Sequence, residues 1–269
     1  MRCAVLGDPI AHSLSPVLHR AGYAAVGLDW TYEAHRVPAG GLADFLAGLD
    51  ATWRGLSLTM PLKREAAGLA TTISDRARLA GAANTLLLAG GGALADNTDV
   101  PGAAAALRER FGGKVTSATI LGGGATATSV GLALADLGAR DLRLLVRAPE
   151  RAAETVDHLR AHPGSPEVTV GTLEEPVVGE VVASTIPAEA QDAALVDRCT
   201  AVPVVFEVLY HPWPTPLAAS VGSDRVLVSG LDLLVHQAAL QFTTFTGEPA
   251  PLAAMRTAGE AALDTRPTP

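Results

Sequence analysis

Apolar and polar positions along the chain fall into short blocks that predict strands and helices in alternation. The predicted strands are short apolar runs bounded by turn residues, at residues 2–6, 31–36, 55–58, 84–88, 93–96, 118–121 and 142–146. The predicted helices lie between them, at residues 16–26, 41–49, 74–79 and 101–111, and from a glycine-rich loop to about residue 137. This alternation favours an α/β fold with a parallel sheet.

Glycines and a change of pattern divide the chain. Gly90, Gly91 and Gly92 separate two predicted strands, so we expect a β-hairpin there. From residue 118 onward, a buried strand, a glycine-rich turn, a helix and a second strand form a compact βαβ unit. We therefore place a domain boundary near residue 100, and we expect the polar tail at residues 264–269 to fray.

Composition excludes several classes of function. A length of 269 residues suits one large domain or two ordinary ones, and 48% of the residues are hydrophobic. The net charge of -8 argues against nucleic-acid or anionic-membrane partners. No uncharged apolar run reaches about 18 residues, so no membrane span is expected. The N-terminus does not resemble a signal peptide. Cys3 and Cys199 lie far apart and the seven histidines do not cluster, which predicts a reducing, cytoplasmic location and no metal site.

The glycine loop has the pattern of a dinucleotide-binding turn. Gly122, Gly124 and Ala127 match G-x-G-x-x-[G/A] between a strand and a helix. The first glycine permits a tight turn and the second lets the backbone approach a pyrophosphate. The alanine lets the helix lie close to the strand. The free N–H groups at the start of the helix would then hold the anion.

The end of the following strand bears on the choice of cofactor. An NAD site normally has an acidic residue there, which accepts hydrogen bonds from the ribose hydroxyl. Here the strand ends in Val146 and Arg147, with Arg151 four residues later. Two guanidinium groups suit a 2′-phosphate, so the pattern favours NADP. Alternatively, Arg151 begins an exposed helix and pairs with Glu150 or Glu154.

Three polar clusters remain in the first hundred residues: GDPIAHSLSP, SLTMPLK, and GAANT with DNTDVPG. Each follows a predicted strand or lies at a turn, where open α/β sheets bind their ligands. Their hydroxyl and amide groups, with one lysine and one aspartate, suit a small polyhydroxylated ligand. Taken singly, each cluster also has a structural explanation, as helix caps at Ser13, Ser15 and Asp99 or as a turn at Asn84.

In this order, the clusters resemble the motifs of the shikimate dehydrogenase family. The N-terminal signature is matched by Gly7, Pro9, His12, Ser13, Ser15, Pro16 and His19. The family's N-V-T-x-P-x-K, G-A-V-N-T and N-T-D-x-x-G motifs are similar to SLTMPLK, GAANT and NTDVPG, and its closing motif is similar to GLDLLVHQAALQF. The resemblance extends from Gly7 to Gly247.

The resemblance implies reversible NADPH-dependent reduction of 3-dehydroshikimate to shikimate by a monomer or homodimer. It implies a substrate-binding and catalytic domain of residues 1–100 with 237–269, an NADP-binding Rossmann domain of residues 101–236, and an active site in the cleft between them. The implied catalytic pair is Lys63 and Asp99. The implied substrate-binding residues are Ser13, Ser15, Thr59, Asn84, Tyr210 and Gln237. The implied cofactor-binding residues are Gly122, Gly123, Gly124, Ala125, Thr126, Arg147, Arg151, Val208 and Gly230.

Residue chemistry explains why position 63 is a lysine. Hydride transfer to a ketone builds negative charge on its oxygen, which needs a nearby cation and a proton. Arginine supplies only the charge, whereas lysine supplies both. A carboxylate such as Asp99 would orient the ammonium group, and either group could deliver the proton. Alternatively, Lys63 is a solvated cation at a helix start.

Several positions differ from the family pattern. Ser57 stands where asparagine is usual, Ala125 replaces a loop glycine, and Glu207 stands where aspartate is usual. Val146 and Ala148 replace the polar residues on either side of Arg147. Two other functions therefore remain open: a quinate or quinate/shikimate dehydrogenase that uses NAD, and a non-catalytic NADP-binding paralogue. A folate-type dehydrogenase is disfavoured because the serines of HSLSP suit a hydroxy acid.

Overall fold

The computed structural model describes residues 1–265, so residues 266–269 of the predicted polar tail lie outside the described residues. Its strands are β1 (Arg2–Gly7), β2 (Thr31–Arg36), β3 (Trp53–Leu58), β4 (Thr72–Ile73), β5 (Thr85–Ala89), β6 (Gly92–Asp96), β7 (Ser117–Leu121), β8 (Asp141–Val146), β9 (Glu167–Thr172), β10 (Val181–Ser184), β11 (Val204–Glu207) and β12 (Val226–Val228). Its α-helices are α1 (Ser15–Ala25), α2 (Leu42–Ala47), α3 (Lys63–Leu69), α4 (Asp75–Ala80), α5 (Asp99–Arg110), α6 (Ala125–Asp136), α7 (Ala153–Arg160), α8 (Ala193–Arg198), α9 (Pro216–Ala219), α10 (Gly230–Thr246) and α11 (Leu252–Asp264).

The described chain forms two compact units. The first contains residues 1–98 and 234–265, and the second contains residues 99–233. Helix α10 begins in the second unit and ends in the first.

The first unit contains a mixed six-stranded sheet with strand order β2-β1-β3-β5-β6-β4. Strands β2, β1 and β3 are parallel, whereas β5 runs antiparallel to β3 and to β6. The expectation of a parallel sheet is therefore wrong for this half of the sheet. The reason is the hairpin predicted around Gly90 to Gly92, because a two-residue turn can join only antiparallel strands.

Two groups of buried side chains stabilise the first unit. Leucines and alanines of β1, β3 and β5 pack against α2 and α3 on one side of the sheet. A second group is aromatic: His19 and Tyr23 of α1, Tyr32 of β2, and Phe242 and Phe245 of α10. Helix α11 packs against α1, so the C-terminal segment belongs to the core of the first unit.

The second unit contains a fully parallel six-stranded sheet with order β12-β11-β10-β7-β8-β9. From β7 the chain proceeds outward through β8 to β9, and then returns to β10 on the other side of β7. This is a Rossmann-type doubly wound sheet, whose topological switch point lies between β7 and β10. Ligands of such sheets bind beyond the carboxyl ends of the strands at the switch point, which here is where the glycine loop begins.

Candidate active site

All the polar clusters of the first hundred residues reach one edge of the first sheet. Strands β1 and β3 are parallel neighbours, with Leu6 paired to Leu58, so the turns that follow them start side by side. Strand β5 is antiparallel to β3, and Ser57 pairs with Thr85, so Asn84 lies at the same edge. The end of β6 pairs with the start of β5 and brings Thr98 there as well. This edge holds the switch point between β1 and β3, where α/β sheets bind ligands.

The turn after β1 carries Ser13 and Ser15. The backbone N–H of Ser15 donates to the Ser13 hydroxyl over 3.3 Å, and Ser15 begins α1. Gly7 explains why the turn can lie so close to the next one. A Cβ at Gly7 would meet the side chain of Thr59 and would lie 2.8 Å from the carbonyl oxygen of Met60. Only glycine permits this approach, because real Cβ contacts are longer.

The turn after β3 carries Thr59 and Lys63. The Thr59 N–H donates to the Leu6 carbonyl over 2.9 Å, and the Thr59 carbonyl accepts from the Leu62 N–H at the same distance. Lys63 is the first residue of α3 and is half-buried. Its own carbonyl accepts from the Ala83 N–H over 2.8 Å, which ties the start of α3 to the residue before Asn84.

Asn84 is the most connected side chain at this edge. Its Oδ1 accepts from the backbone N–H of Thr98 and from the hydroxyl of Thr85, both over 2.8 Å. Its Nδ2 donates to the Thr98 hydroxyl over 2.9 Å and to Oε1 of Gln237 over 3.2 Å. Gln237 comes from α10, so the structure joins two of the predicted substrate residues that lie 153 positions apart.

Two residues that the sequence did not mark as functional extend this network. Ser57 and Gln241 are both buried, and the Ser57 hydroxyl donates to Oε1 of Gln241 over 2.7 Å. Gln241 in turn donates from Nε2 to the Asn84 carbonyl and to the Thr85 hydroxyl, over 2.9 and 3.0 Å. In the sequence, Ser57 stands out only as a departure from the family pattern, and Gln241 only as a member of the motif GLDLLVHQAALQF.

Asp99 follows Thr98 in the chain and is the first residue of α5, in the second unit. Its side chain is buried, with 6% relative exposure. The predicted catalytic pair is therefore divided between the two units, with Lys63 in the first and Asp99 in the second.

The glycine loop connects β7 to α6. Gly122 has a φ of +113°, a conformation open to glycine, and a Cβ there would collide with the side chain of Thr185. Gly124 caps α6, and no described atom lies within 4 Å of where its Cβ would be. Ala127 is fully buried. Each residue therefore has the geometry expected of a dinucleotide-binding turn, and Ala125 and Thr126 form the first turn of α6.

Thr155 fixes the middle of the glycine loop from α7. Its hydroxyl donates to the Gly123 carbonyl over 2.8 Å and accepts from the Thr128 hydroxyl over 3.1 Å. Thr155 is fully buried. This contact points the Gly123 carbonyl toward α7, and the sequence gave no signal for it.

The end of β8 carries no acidic side chain. Val146 ends β8 and is buried, whereas Arg147 and Arg151 are exposed. Within residues 1–265, neither guanidinium group takes part in an ion pair. The alternative in which Arg151 pairs with Glu150 or Glu154 is therefore not what the structure shows. Both guanidinium groups are open to solvent at the end of β8.

The segment after β11 brings the remaining predicted residues together. A Cβ on Gly230 would collide with the Val208 carbonyl and lie 2.5 Å from that of Leu209, so the start of α10 lies directly against this segment. Tyr210 follows and is half-buried. Val208 and Tyr210 both belong to the second unit, whereas the other predicted substrate residues belong to the first.

Glu207 holds the segment after β11 from inside the second unit. One carboxylate oxygen accepts from Gln191 Nε2 over 2.7 Å and from the Thr215 hydroxyl over 2.9 Å, and the other accepts from the Leu209 N–H over 3.1 Å. Burial raises the pKa of this carboxyl, although the hydrogen bonds oppose the shift.

Two observations concern residues 1–265 as a whole. No helix there is both long enough and apolar enough to cross a membrane. In the same residues, no three His, Cys, Asp or Glu side chains come together in an arrangement that could hold a metal ion.

Comparison with known proteins agrees with this geometry. The family model described as the shikimate dehydrogenase substrate binding domain matches residues 5–86, and the one described as the shikimate 5′-dehydrogenase C-terminal domain matches residues 230–258. The shikimate dehydrogenase (NADP(+)) of Moorella thermoacetica is 35% identical over 266 residues, covering 94% of this chain and 90% of the relative.

Solved structures agree as well. The crystal structure of Mycobacterium tuberculosis shikimate dehydrogenase has a TM-score of 0.87 and 42% identity, covering 97% of this chain and 99% of that one. The shikimate 5-dehydrogenase of Thermus thermophilus in complex with NADP(H) and shikimate has a TM-score of 0.85 and 28% identity, with 97% and 99% covered.

The chain contains a doubly wound sheet with a glycine loop in one unit and a sheet with a polar edge in the other, and together these features define an oxidoreductase of the Rossmann-type dehydrogenase class. The relatives match it over nearly the whole chain. The chain belongs to the shikimate dehydrogenase family.

Proposed function

We propose that this protein catalyses the reversible NADPH-dependent reduction of 3-dehydroshikimate to shikimate. One observation carries the proposal: Ser13, Ser15, Thr59, Lys63 and Asn84 all lie at one edge of the first sheet, at its switch point. This set offers hydroxyl, amide and ammonium groups to a ligand rich in hydroxyl groups. The family to which the chain belongs and the NADP-dependent relatives support the same assignment.

In this proposal the first unit binds the substrate and the second binds the dinucleotide, close to the division expected from the sequence at residues 100 and 237. The substrate residues are Ser13, Ser15, Thr59, Asn84, Gln237 and, from the second unit, Tyr210. The cofactor residues are Gly122 to Thr126, Arg147, Arg151, Val208 and Gly230. When bound, NADPH supplies the hydride.

The chemistry of the protein's own groups concerns the substrate oxygen. Lys63 stabilises the developing negative charge, and Lys63 or Asp99 passes a proton to that oxygen. Acid–base catalysis of this kind contributes about 10²–10⁴-fold in rate, or roughly 3–5 kcal/mol. The carbonyl of Lys63, bonded to the Ala83 N–H, fixes the start of α3 beside Asn84, so substrate contacts and proton transfer share one rigid turn.

Steady-state assays of shikimate and quinate, each with NADP+ and NAD+, test the proposal. We expect the highest kcat/KM for shikimate with NADP+. A higher value for quinate with NAD+ would assign the chain to quinate dehydrogenation. Absence of turnover at saturating shikimate and NADP+ would assign it to a non-catalytic NADP-binding role.

We also propose a cytoplasmic location. Cys3 and Cys199 are buried and free, and burial raises the pKa of each thiol to about 11, so both thiols stay protonated and unreactive.

A monomer or homodimer is expected, and light scattering on purified protein distinguishes the two.

A further inference from the structure

Position 57 lies in the first unit, and this chain has serine there, where asparagine is usual in the family. The serine is 4% exposed, and it lies between two other buried side chains. Tyr32 donates its hydroxyl proton to Ser57 Oγ over 2.5 Å, and Ser57 donates its own to Oε1 of Gln241 over 2.7 Å. Strand β3 contributes a hydroxyl group at this position, and α10 contributes the carboxamide group of Gln241.

The Gln241 amide is fully used. Its oxygen accepts from Ser57, and its nitrogen donates both protons, one to the Asn84 carbonyl and one to the Thr85 hydroxyl. Gln241 is 1% exposed, so water does not compete for these bonds. Breaking any of them would leave a buried polar group unsatisfied, which typically costs about 1–3 kcal/mol.

The donors and acceptors of these hydrogen bonds follow one fixed order from Tyr32 to Asn84. Because Tyr32 donates to Ser57, the Ser57 proton is directed to Gln241, and the Gln241 oxygen must face β3. Its nitrogen then faces β5, so the Thr85 hydroxyl accepts there and passes its proton to Asn84 Oδ1. Because Oδ1 accepts from Thr85 and from the Thr98 N–H, Nδ2 of Asn84 faces the Thr98 hydroxyl and Gln237 and donates to both.

We infer that Gln241 is a positioning residue for Asn84, and that Ser57 and Gln241 act as one coupled pair in this role. The inference rests on the proposed function in one respect, the contact of Asn84 with substrate. Gln241 itself is bonded to Ser57, Thr85 and the Asn84 backbone, so it acts on the substrate through Asn84.

The pairing predicts which exchanges the chain tolerates. Asparagine at position 57 is larger than serine and would crowd Gln241, because Oγ of Ser57 is already at hydrogen-bonding distance from its amide. Alanine at position 241 would remove the donors to Asn84 and Thr85 and leave the Ser57 hydroxyl without its acceptor. The double variant S57N/Q241A restores a carboxamide from β3 and removes the crowding together.

The experiment compares the wild type, S57N, Q241A and S57N/Q241A by steady-state kinetics with shikimate and NADP+ and by thermal unfolding. We expect each single substitution to raise the KM for shikimate about tenfold, the effect of about 1.4 kcal/mol. The KM for NADP+ should change less than about threefold, since the network lies in the first unit. The double variant should return to within about threefold of the wild-type KM.

Phe242→Leu is the matched control for a general loss of stability. Phe242 is fully buried beside Gln241 on α10 but belongs to the aromatic group. This variant should lower the Tm and leave the KM for shikimate unchanged. A similar rise in KM for Phe242→Leu would show that any weakening of α10 has this effect, and it would overturn the inference.

Two more results would overturn it. One is a double variant whose KM is as high as the product of the two single effects, because the positions would then act independently. The other is Q241A with the wild-type KM. If the wild type fails to turn over shikimate, the proposed function falls instead. The Tm values then decide the pairing: a double variant more stable than the two single losses predict supports it, and additive losses overturn it.

Discussion

The imidazole ring of His19 lies flat on the phenol ring of Tyr32, with the ring centroids 4.1 Å apart and the planes inclined by 9°. His19 belongs to the N-terminal family signature, yet it is fully buried and is surrounded by Tyr23, Phe242 and Phe245. Its place in the signature is therefore explained by packing of α1 against β2 and α10, and not by contact with a ligand.

Burial of His19 makes stability depend on pH. Burial lowers the pKa of the imidazole to about 3, so the folded protein keeps it neutral at pH 5 while the unfolded chain protonates it. Because the unfolded state binds more protons between pH 3 and pH 6.5, stability falls as the pH falls through this range. At pH 5 the expected loss relative to pH 8 is about 2 kcal/mol from this residue.

Urea unfolding of the wild type and His19→Phe at pH 5 and pH 8 measures this effect. Phenylalanine retains the stacking on Tyr32 but cannot be protonated. The difference in unfolding free energy between the two pH values should be about 2 kcal/mol smaller in the variant. Identical pH dependence in the two proteins would show that His19 is not the group responsible.

Lys63 is expected to be essential for turnover and dispensable for binding. Lys63→Met should lower kcat by about 10²–10⁴-fold, with the KM for shikimate changed less than about threefold. Lys63→Arg should be nearly as poor, because arginine keeps the charge but does not release a proton. Lys114→Met, at the chain's other lysine, is the control. Retention of more than about a tenth of the activity by Lys63→Arg would exclude proton transfer by Lys63.

Arg147 and Arg151 are expected to set the cofactor preference. Replacing both with glutamine removes the charge-assisted hydrogen bonds proposed for the 2′-phosphate, so the KM for NADP+ should rise at least about tenfold. The KM for NAD+, which lacks this phosphate, should change less than about threefold. Arg108→Gln, an exposed arginine on α5, should leave both values unchanged. An equal rise for both cofactors would assign the arginines to another part of the dinucleotide.

Glu207 is expected to be required for the stability of the second unit. In Glu207→Gln, one of the two carboxylate oxygens becomes an NH2 group facing Gln191 and Thr215 or the Leu209 N–H. A donor would then meet a donor in a buried position, so the loss in unfolding free energy should be about 2 kcal/mol or more. Glu189→Gln, at an exposed glutamate nearby in sequence, is the control for loss of charge alone. Equal stability of Glu207→Gln and the wild type would contradict this role.

The regular elements could be predicted because their signals are local. The ends of β2 and the capping of α4 by Ser74 follow from neighbouring residues, and the structure confirms both, with the Ser74 hydroxyl accepting from the Ala77 N–H over 3.1 Å. The start of α5 was expected at residue 101, but the helix begins at Asp99 because the residues before Pro101 form its first turn. The antiparallel pairing of β5 with β6 follows from the predicted hairpin, whereas the antiparallel pairing of β5 with β3 was not predicted, because the alternation of elements does not specify which neighbour a strand pairs with.

The same distinction between local signals and long-range contacts applies to the candidate site. Ser13, Thr59 and Asn84 stand in recognisable motifs, so their positions at one sheet edge followed once the strands were placed. Gln241 also stands in a motif, GLDLLVHQAALQF, but the sequence assigns it no role, because a glutamine in a helix usually faces solvent. Its role depends on Ser57, which lies 184 positions away, and only the folded chain shows that the two meet.

The hydrogen bonds between β5 and α10 also determine when the first unit can be completed. Thr85 precedes Gln241 by 156 positions, so at about 5–20 residues per second it is synthesised roughly 8–30 s earlier. The whole of residues 99–233 is synthesised in that interval. A nascent chain that ends before α10 therefore has every strand of its first sheet but lacks Gln237 and Gln241, the α10 partners of Asn84.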